Sequence, residues 1–216
     1  MRSDGSRADA RRSRRLLLDA GASAFTEHGL DVQVSEITRR AGLAKGTFFR
    51  HFPTKRALLV EILAESVHEL SRIARAIAAG PPADAVTRYM DAAAAQMAPL
   101  RAVIENAILH GIDTPSLHDA MGDLMESLAP LLDGAKRRGE LRTDVTPLDI
   151  HILLMGATST SARFFHRDQP DLWKRYLALT LDGLRPQAAH PLPVAPPPPP
   201  TTPTASPPSK HEPRMA

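Results

Sequence analysis

The stretch Gln33-Val-Ser-Glu-Ile-Thr-Arg-Arg-Ala-Gly-Leu-Ala-Lys-Gly-Thr-Phe-Phe-Arg-His-Phe52 decides how the rest of the chain is read. It divides into two short helical runs, about Val34 to Arg40 and about Ala44 to Phe52, separated by Ala41-Gly42-Leu43. Glycine readily takes the backbone conformations that a tight turn between helices demands. Ile37, Ala41, Leu43 and Phe48 can form a buried seam, with the small Ala41 where the helices approach. The second run then presents Lys45, Thr47, Arg50 and His51, and no acidic residue occurs from position 37 to 60. Such a surface suits a phosphate-lined groove: the start of the second helix reaches base edges, while lysines, hydroxyls and amides hold phosphates. Gly46 costs that helix about 1 kcal/mol relative to alanine. Close approach of a nucleic-acid backbone would account for it; a plain turn glycine is the alternative.

Outward from this stretch, helical periodicity continues on both sides. A first helix is expected from about Arg11 to His28, with Leu17, Ala20, Ala24 and Phe25 on one face, Gly21 inside it and Gly29 as its stop. Residues 1–10 read as a flexible basic arm. After Pro53, Thr54 caps a long fourth helix whose Leu59, Ile62, Leu63, Leu70, Ile73 and Ile77 recur at three and four residues until Gly80-Pro81-Pro82. Residues 1–56 carry 12 Lys and Arg against 6 Asp and Glu, and residues 57–216 carry 15 against 18. A basic quarter on an acidic remainder points to a head that binds a polyanion and a body that does not.

Further helices are expected at about 84–98, 101–110, 115–138, 147–166 and 170–185, with Asp84, Thr114-Pro115 and Thr146-Pro147 opening three of them and Asp149 supporting the last of these caps. Pro130 should kink or break its helix. No strand-period run is found, so the fold class is all-α: an N-terminal three-helix head over 11–56, joined by a long helix to a larger helical body over 57–186. Residues 187–216 hold eleven prolines in thirty positions and read as a disordered, extended tail. The absence of cysteine excludes disulfides and thiolate chemistry. No hydrophobic run of membrane-spanning or signal length is found, so a cytoplasmic protein without a membrane partner is expected.

Ala41-Gly42, Gly46, Phe49, His51-Phe52, Lys55 and Leu58, preceded by Leu17, Ala20, Phe25 and Gly29, resemble the TetR family's pattern Ala-Gly-x-x-x-Gly-x-x-Tyr-x-His-Phe-x-x-Lys-x-x-Leu. The resemblance implies a repressor that grips double-stranded operator DNA as a homodimer and is released by a small ligand. It places Lys45, Gly46, Thr47, Phe49, Arg50 and His51 on the recognition helix and Lys55 at a phosphate-binding helix start. Gln33 stands at the start of the preceding helix, and Arg11 and Arg12 follow the basic arm toward DNA. Phe49 replaces the usual tyrosine and Ala44 a common capping serine, while Glu36 is expected to reach back to the amide of Gln33 as in a capping box. Coupling to the ligand is expected to run through the long fourth helix.

In the body, Tyr89, Met97, Met121, Met125 and Met155, with His110 as a polar point, are candidates to line a pocket for an apolar effector; ordinary core filling is the other reading of the methionines. Phe164, Phe165, Trp173, Tyr176, Leu177 and Leu184 are candidates for a dimer interface built from the last two helices. No metal and no cofactor are expected, and no G-x-S-x-G or H-E-x-x-H motif supports an enzyme. A non-specific architectural DNA binder is the remaining alternative; it would leave the helical body without a purpose.

Overall fold

A computed structural model of the chain describes residues 3–159 and 171–196. Its described residues form nine α-helices and no strand: α1 Ser3–His28, α2 Val34–Ala41, α3 Lys45–His51, α4 Lys55–Ala78, α5 Ala85–Met97, α6 Arg101–Leu109, α7 Pro115–Arg137, α8 Pro147–Ser159 and α9 Leu172–Gly183.

Two apolar cores organise them. Leu17, Phe25, Ile37, Phe48, Phe52 and Leu58 join α1 to α4 in the head. Tyr89, Met90, Leu124, Leu128, Ile150 and Leu154 centre the body, where α4 packs along α7 and α5 touches α4, α7 and α8. Gly21 sits where α1 meets α4: a Cβ there would lie 2.7 Å from Leu58 Cδ2, so its cost to helix stability is offset by close packing. The Thr54 cap is made, its hydroxyl accepting from the Ala57 amide at 3.0 Å. Thr146 and Asp149 form a reciprocal box at the start of α8, with the Thr146 amide donating to Asp149 Oδ2 at 2.7 Å.

Four expectations are corrected. The first helix begins at Ser3, so residues 3–10 are not an irregular arm but the opening turns of α1; with no proline there and good helix formers at Arg7, Ala8 and Ala10, a helix nucleated downstream propagates at little cost. The helix α7 runs unbroken through Pro130. Both Pro130 and Glu126 are exposed, so the carbonyl that loses its partner faces water, while Leu124, Leu128, Leu131 and Leu132 hold the helix on the core. Asp84 makes no side-chain cap and instead takes a left-handed backbone, φ 53°. The root of the tail is tied to the body: Arg142 donates its amide to the Leu184 carbonyl at 3.0 Å and its Nη2 to the His190 carbonyl at 2.9 Å.

Candidate nucleic-acid interface

The turn between α2 and α3 is fixed by backbone chemistry. Gly42 has φ 65°, its amide donates to the Arg39 carbonyl at 3.2 Å, and the Leu43 amide donates to the Thr38 carbonyl at 2.9 Å, which ends α2 in a Schellman-type cap. Ile37 and Phe48 are fully buried beneath it and Ala41 nearly so. The α2 surface is braced to α1 through Arg40, which donates to Glu27 at 2.7 and 2.8 Å and to Glu36 at 2.7 Å. Glu36 also takes two bonds from Arg39, and these arginine hydrogen bonds hold its pKa down to about 2. The box expected between Glu36 and the Gln33 amide is therefore not formed: two guanidinium groups outcompete a neutral amide for the carboxylate. Neither Gln33 nor Ala44 gives a side-chain cap. Gln33 is exposed at the start of α2.

On α3, Lys45, Gly46, Phe49 and Arg50 are exposed, while Thr47 and His51 are half-buried. Phe49 stands 54% exposed beside Phe48, its ring set edge-on at 5.2 Å. A Cβ at Gly46 would meet nothing within 4 Å, so the protein's own packing gives no reason for glycine there. His51 Nε2 is buried without a hydrogen-bond partner, and burial lowers its pKa, with Arg50 and Arg14 adding to the shift.

Lys55 does not extend outward. Its Nζ donates to the carbonyls of Leu30 and of Val32, the latter at 2.9 Å, tying α4 to the segment before α2. Arg11 and Arg12 are exposed along α1, whereas Arg14 pairs with Glu61 at 2.6 Å and lies 5.3 Å from the Phe52 ring centre, and Arg15 pairs with Glu65 at 2.6 Å. Exposed cations thus stand on both α1 and α3, while Arg14, Arg15 and Arg40 are held in ion pairs.

Residues 17–62 match the bacterial regulatory proteins of the tetR family, and residues 81–186 match the C-terminal domain of SbtR-like transcriptional regulators. A TetR transcription regulatory protein from Mycobacterium vanbaalenii is 31% identical, covers 83% of this chain with 98% of its own, and superposes with a TM-score of 0.62. The chain belongs to the TetR family. Like other TetR-family proteins it is a DNA-binding transcriptional regulator. It is also similar to an uncharacterised helix-turn-helix-type regulator of Mycobacterium tuberculosis, 26% identical over 66% of this chain and 77% of that one. The A-factor receptor protein of Streptomyces griseus is 28% identical over 62% of this chain and 48% of its own.

In the body of this TetR-family chain, a cavity of about 280 Å³ is lined by Met97, Arg101, Ile104, Glu105, Ile108, Met155 and Thr158. Of the expected pocket residues it gathers Met97 and Met155. Met121 and Met125 pack on the body's core, Tyr89 is wholly buried in it, and His110 is exposed beyond α6, so these four do not line the cavity. Reading the sequence missed the α6 side chains Arg101, Ile104, Glu105 and Ile108, which no local pattern marks as cavity-lining.

The candidate interface is corrected in part. Leu177 and Leu184 point into the chain's own core, and Trp173 packs against it, half-buried. Tyr176 and Leu179, on the other side of α9, are 42% and 55% exposed, and Ile152 and Leu153 of α8 are 53% and 38% exposed. The apolar stripe of α9 is wide enough to serve two faces, and only the 176 and 179 side is outward. Phe164 and Phe165 lie outside the described residues. Among the described residues no helix is long and apolar enough to cross a membrane.

Proposed function

We propose that this regulator is a homodimeric repressor that binds a two-fold operator in double-stranded DNA and is released from it by a small, largely apolar effector held in the α5–α6–α8 cavity. Lys45, Thr47, Phe49 and Arg50 enter the major groove with Gly46 allowing close approach, while Gln33, Arg11 and Arg12 serve the phosphate backbone. His51 acts from the rear of α3 rather than as an exposed base reader. Lys55 positions α4. The names of similar proteins fit a ligand-operated switch, since one is a receptor for A-factor and another, of the same fold, a gamma-butyrolactone receptor.

One observation carries the reading. The two faces of α6 belong to different parts of the molecule: Val103 and Ala107 are buried in the core of the head, whereas Arg101, Glu105 and Ile108 line the cavity, and Ile104 packs against both cores. A ligand that displaces α6 therefore moves the foundation of the head directly, a shorter route than the one expected through α4 alone. Release follows if the ligand prefers the arrangement in which the two heads no longer match the half-sites. The exposed face of Ile152, Leu153, Tyr176 and Leu179 supplies the dimer contact that sets that spacing.

The test is operator affinity of the Met155→Trp variant, in which an indole fills the cavity, against wild type by fluorescence anisotropy on the upstream intergenic duplex. A mimic of the ligand-bound state should lower affinity at least tenfold while leaving the helical content unchanged; unchanged affinity would remove the cavity from the switch.

A further inference from the structure

The side chains that wall the cavity divide into the apolar Met97, Ile104, Ile108 and Met155 and the polar Arg101, Glu105 and Thr158. Two of the polar groups are already engaged. The Thr158 hydroxyl donates to the Leu154 carbonyl at 2.9 Å, with the Met155 carbonyl at 3.2 Å, and Glu105 has a partner within the chain. Arg101 is different. Among the described residues no group accepts a hydrogen bond from its guanidinium or pairs with its charge, although Glu105 stands one turn away on the same face of α6.

Other arginines of the body are either satisfied or open to water. Half-buried Arg88 donates to the Pro81 carbonyl, and buried Arg142 donates to Asp144 at 2.7 and 2.9 Å. Arg137 and Arg175 are exposed. Arg101 is half-buried and faces a cavity whose other walls are mostly apolar. A charge in such a place costs free energy that glutamine or methionine would avoid, so its presence calls for an anionic partner from outside the chain. The planar guanidinium fork is matched by a carboxylate, which takes two parallel hydrogen bonds. Glu105 at the same wall repels a second negative charge, which favours one carboxylate over a dicarboxylate or a phosphate dianion.

We propose that the cavity binds a monocarboxylate amphiphile, its carboxylate paired with Arg101 and its apolar chain lying along Met97, Ile104, Ile108 and Met155. This rests on the cavity being the effector site. The full-length protein is titrated calorimetrically at pH 7 with octanoate, octanamide and octylammonium, which share a chain length and differ in head charge. Octanoate should bind at least tenfold more tightly than either of the others, and Met155→Trp, which fills the cavity, should abolish its binding. Arg101→Gln should weaken octanoate alone, erasing the preference, and Arg101→Lys, which keeps the charge but not the fork, should restore part of it. The ligand-free Arg101→Gln protein should melt no lower than wild type, because no internal bond is lost. Equal affinity for octanoate and octanamide, no octanoate binding at millimolar concentration, or a preference that survives Arg101→Gln would each overturn the proposal. Octanoate held through Arg101 with no loss of operator affinity would keep the carboxylate site and remove the effector reading. Octanoate that releases the operator but is indifferent to Arg101→Gln would keep the effector reading and remove the carboxylate site.

Discussion

The head and the body invite their partners in opposite ways. The head exposes what packing does not need: a phenylalanine at 54% exposure, a helical glycine with open space around it, and outward cations at Lys45 and Arg50. The body buries what packing does not want, namely the unpartnered Tyr89 hydroxyl and His151 nitrogen. A macromolecular groove is met by a convex surface whose cost is apolar exposure and lost helix propensity. A small ligand is met from inside, where the cost is unpaired polarity and empty volume. Each cost can be measured, and the two should respond differently to mutation and to pH.

The largest effect is expected in the head's seam. Phe48 is fully buried where α2, α3 and the start of α4 meet, and Phe48→Ala should lower stability by about 3–5 kcal/mol in urea unfolding, with loss of operator binding. A cost below about 1 kcal/mol would mean that the head's core tolerates a cavity as the body does, and would erase the contrast.

Next comes the body's buried imidazole. Its folded pKa of about 4 lies below the ordinary value of 6.5, so the neutral form is favoured in the fold and the unfolded chain takes up the proton first. Stability from this group is complete above about pH 6.5 and falls as the pH drops toward 4, by about 3 kcal/mol in total. Unfolding curves at pH 7 and pH 4.5 should therefore differ by more for wild type than for His151→Phe. Equal pH dependence of the two would show that His151 is paired or hydrated.

The head was legible in the sequence because its logic is local. Ile37, Ala41 and Phe48 join one core within a dozen residues, and periodicity plus Gly42 specifies their turn. The body's cavity joins Met97 to Thr158 through three helices that no local pattern relates, so its methionines could be named but its α6 wall could not. Of the kink or break expected at Pro130 the break does not occur, because whether proline breaks a helix depends on the exposure of Glu126, a tertiary fact. The role of Lys55 was not legible because a basic residue at a helix start suits a phosphate or a pair of backbone carbonyls equally well, and here the carbonyls of Leu30 and Val32 hold it. On α9 the stripe was visible, but which half faced the core was not.

For the DNA face itself, Arg50→Ala should cost about 1–3 kcal/mol of operator affinity and narrow the preference for the native over a scrambled duplex, read by anisotropy at two salt concentrations. A uniform loss on both duplexes would make Arg50 a phosphate contact. It would also bring the architectural alternative back into play.

The smallest effect separates the two regions most cleanly. At Gly46 the backbone is helical and a methyl group meets nothing within 4 Å, so Gly46→Ala should stabilise the free protein by up to about 1 kcal/mol through helix propensity alone. If the glycine exists to let DNA approach, the same methyl must lie in the groove, and operator affinity should fall as stability rises. Opposite signs in one variant cannot come from a damaged fold, because damage lowers both. A gain in stability with unchanged affinity would make Gly46 incidental, and the case for α3 as the reading helix would then rest on Lys45, Phe49 and Arg50.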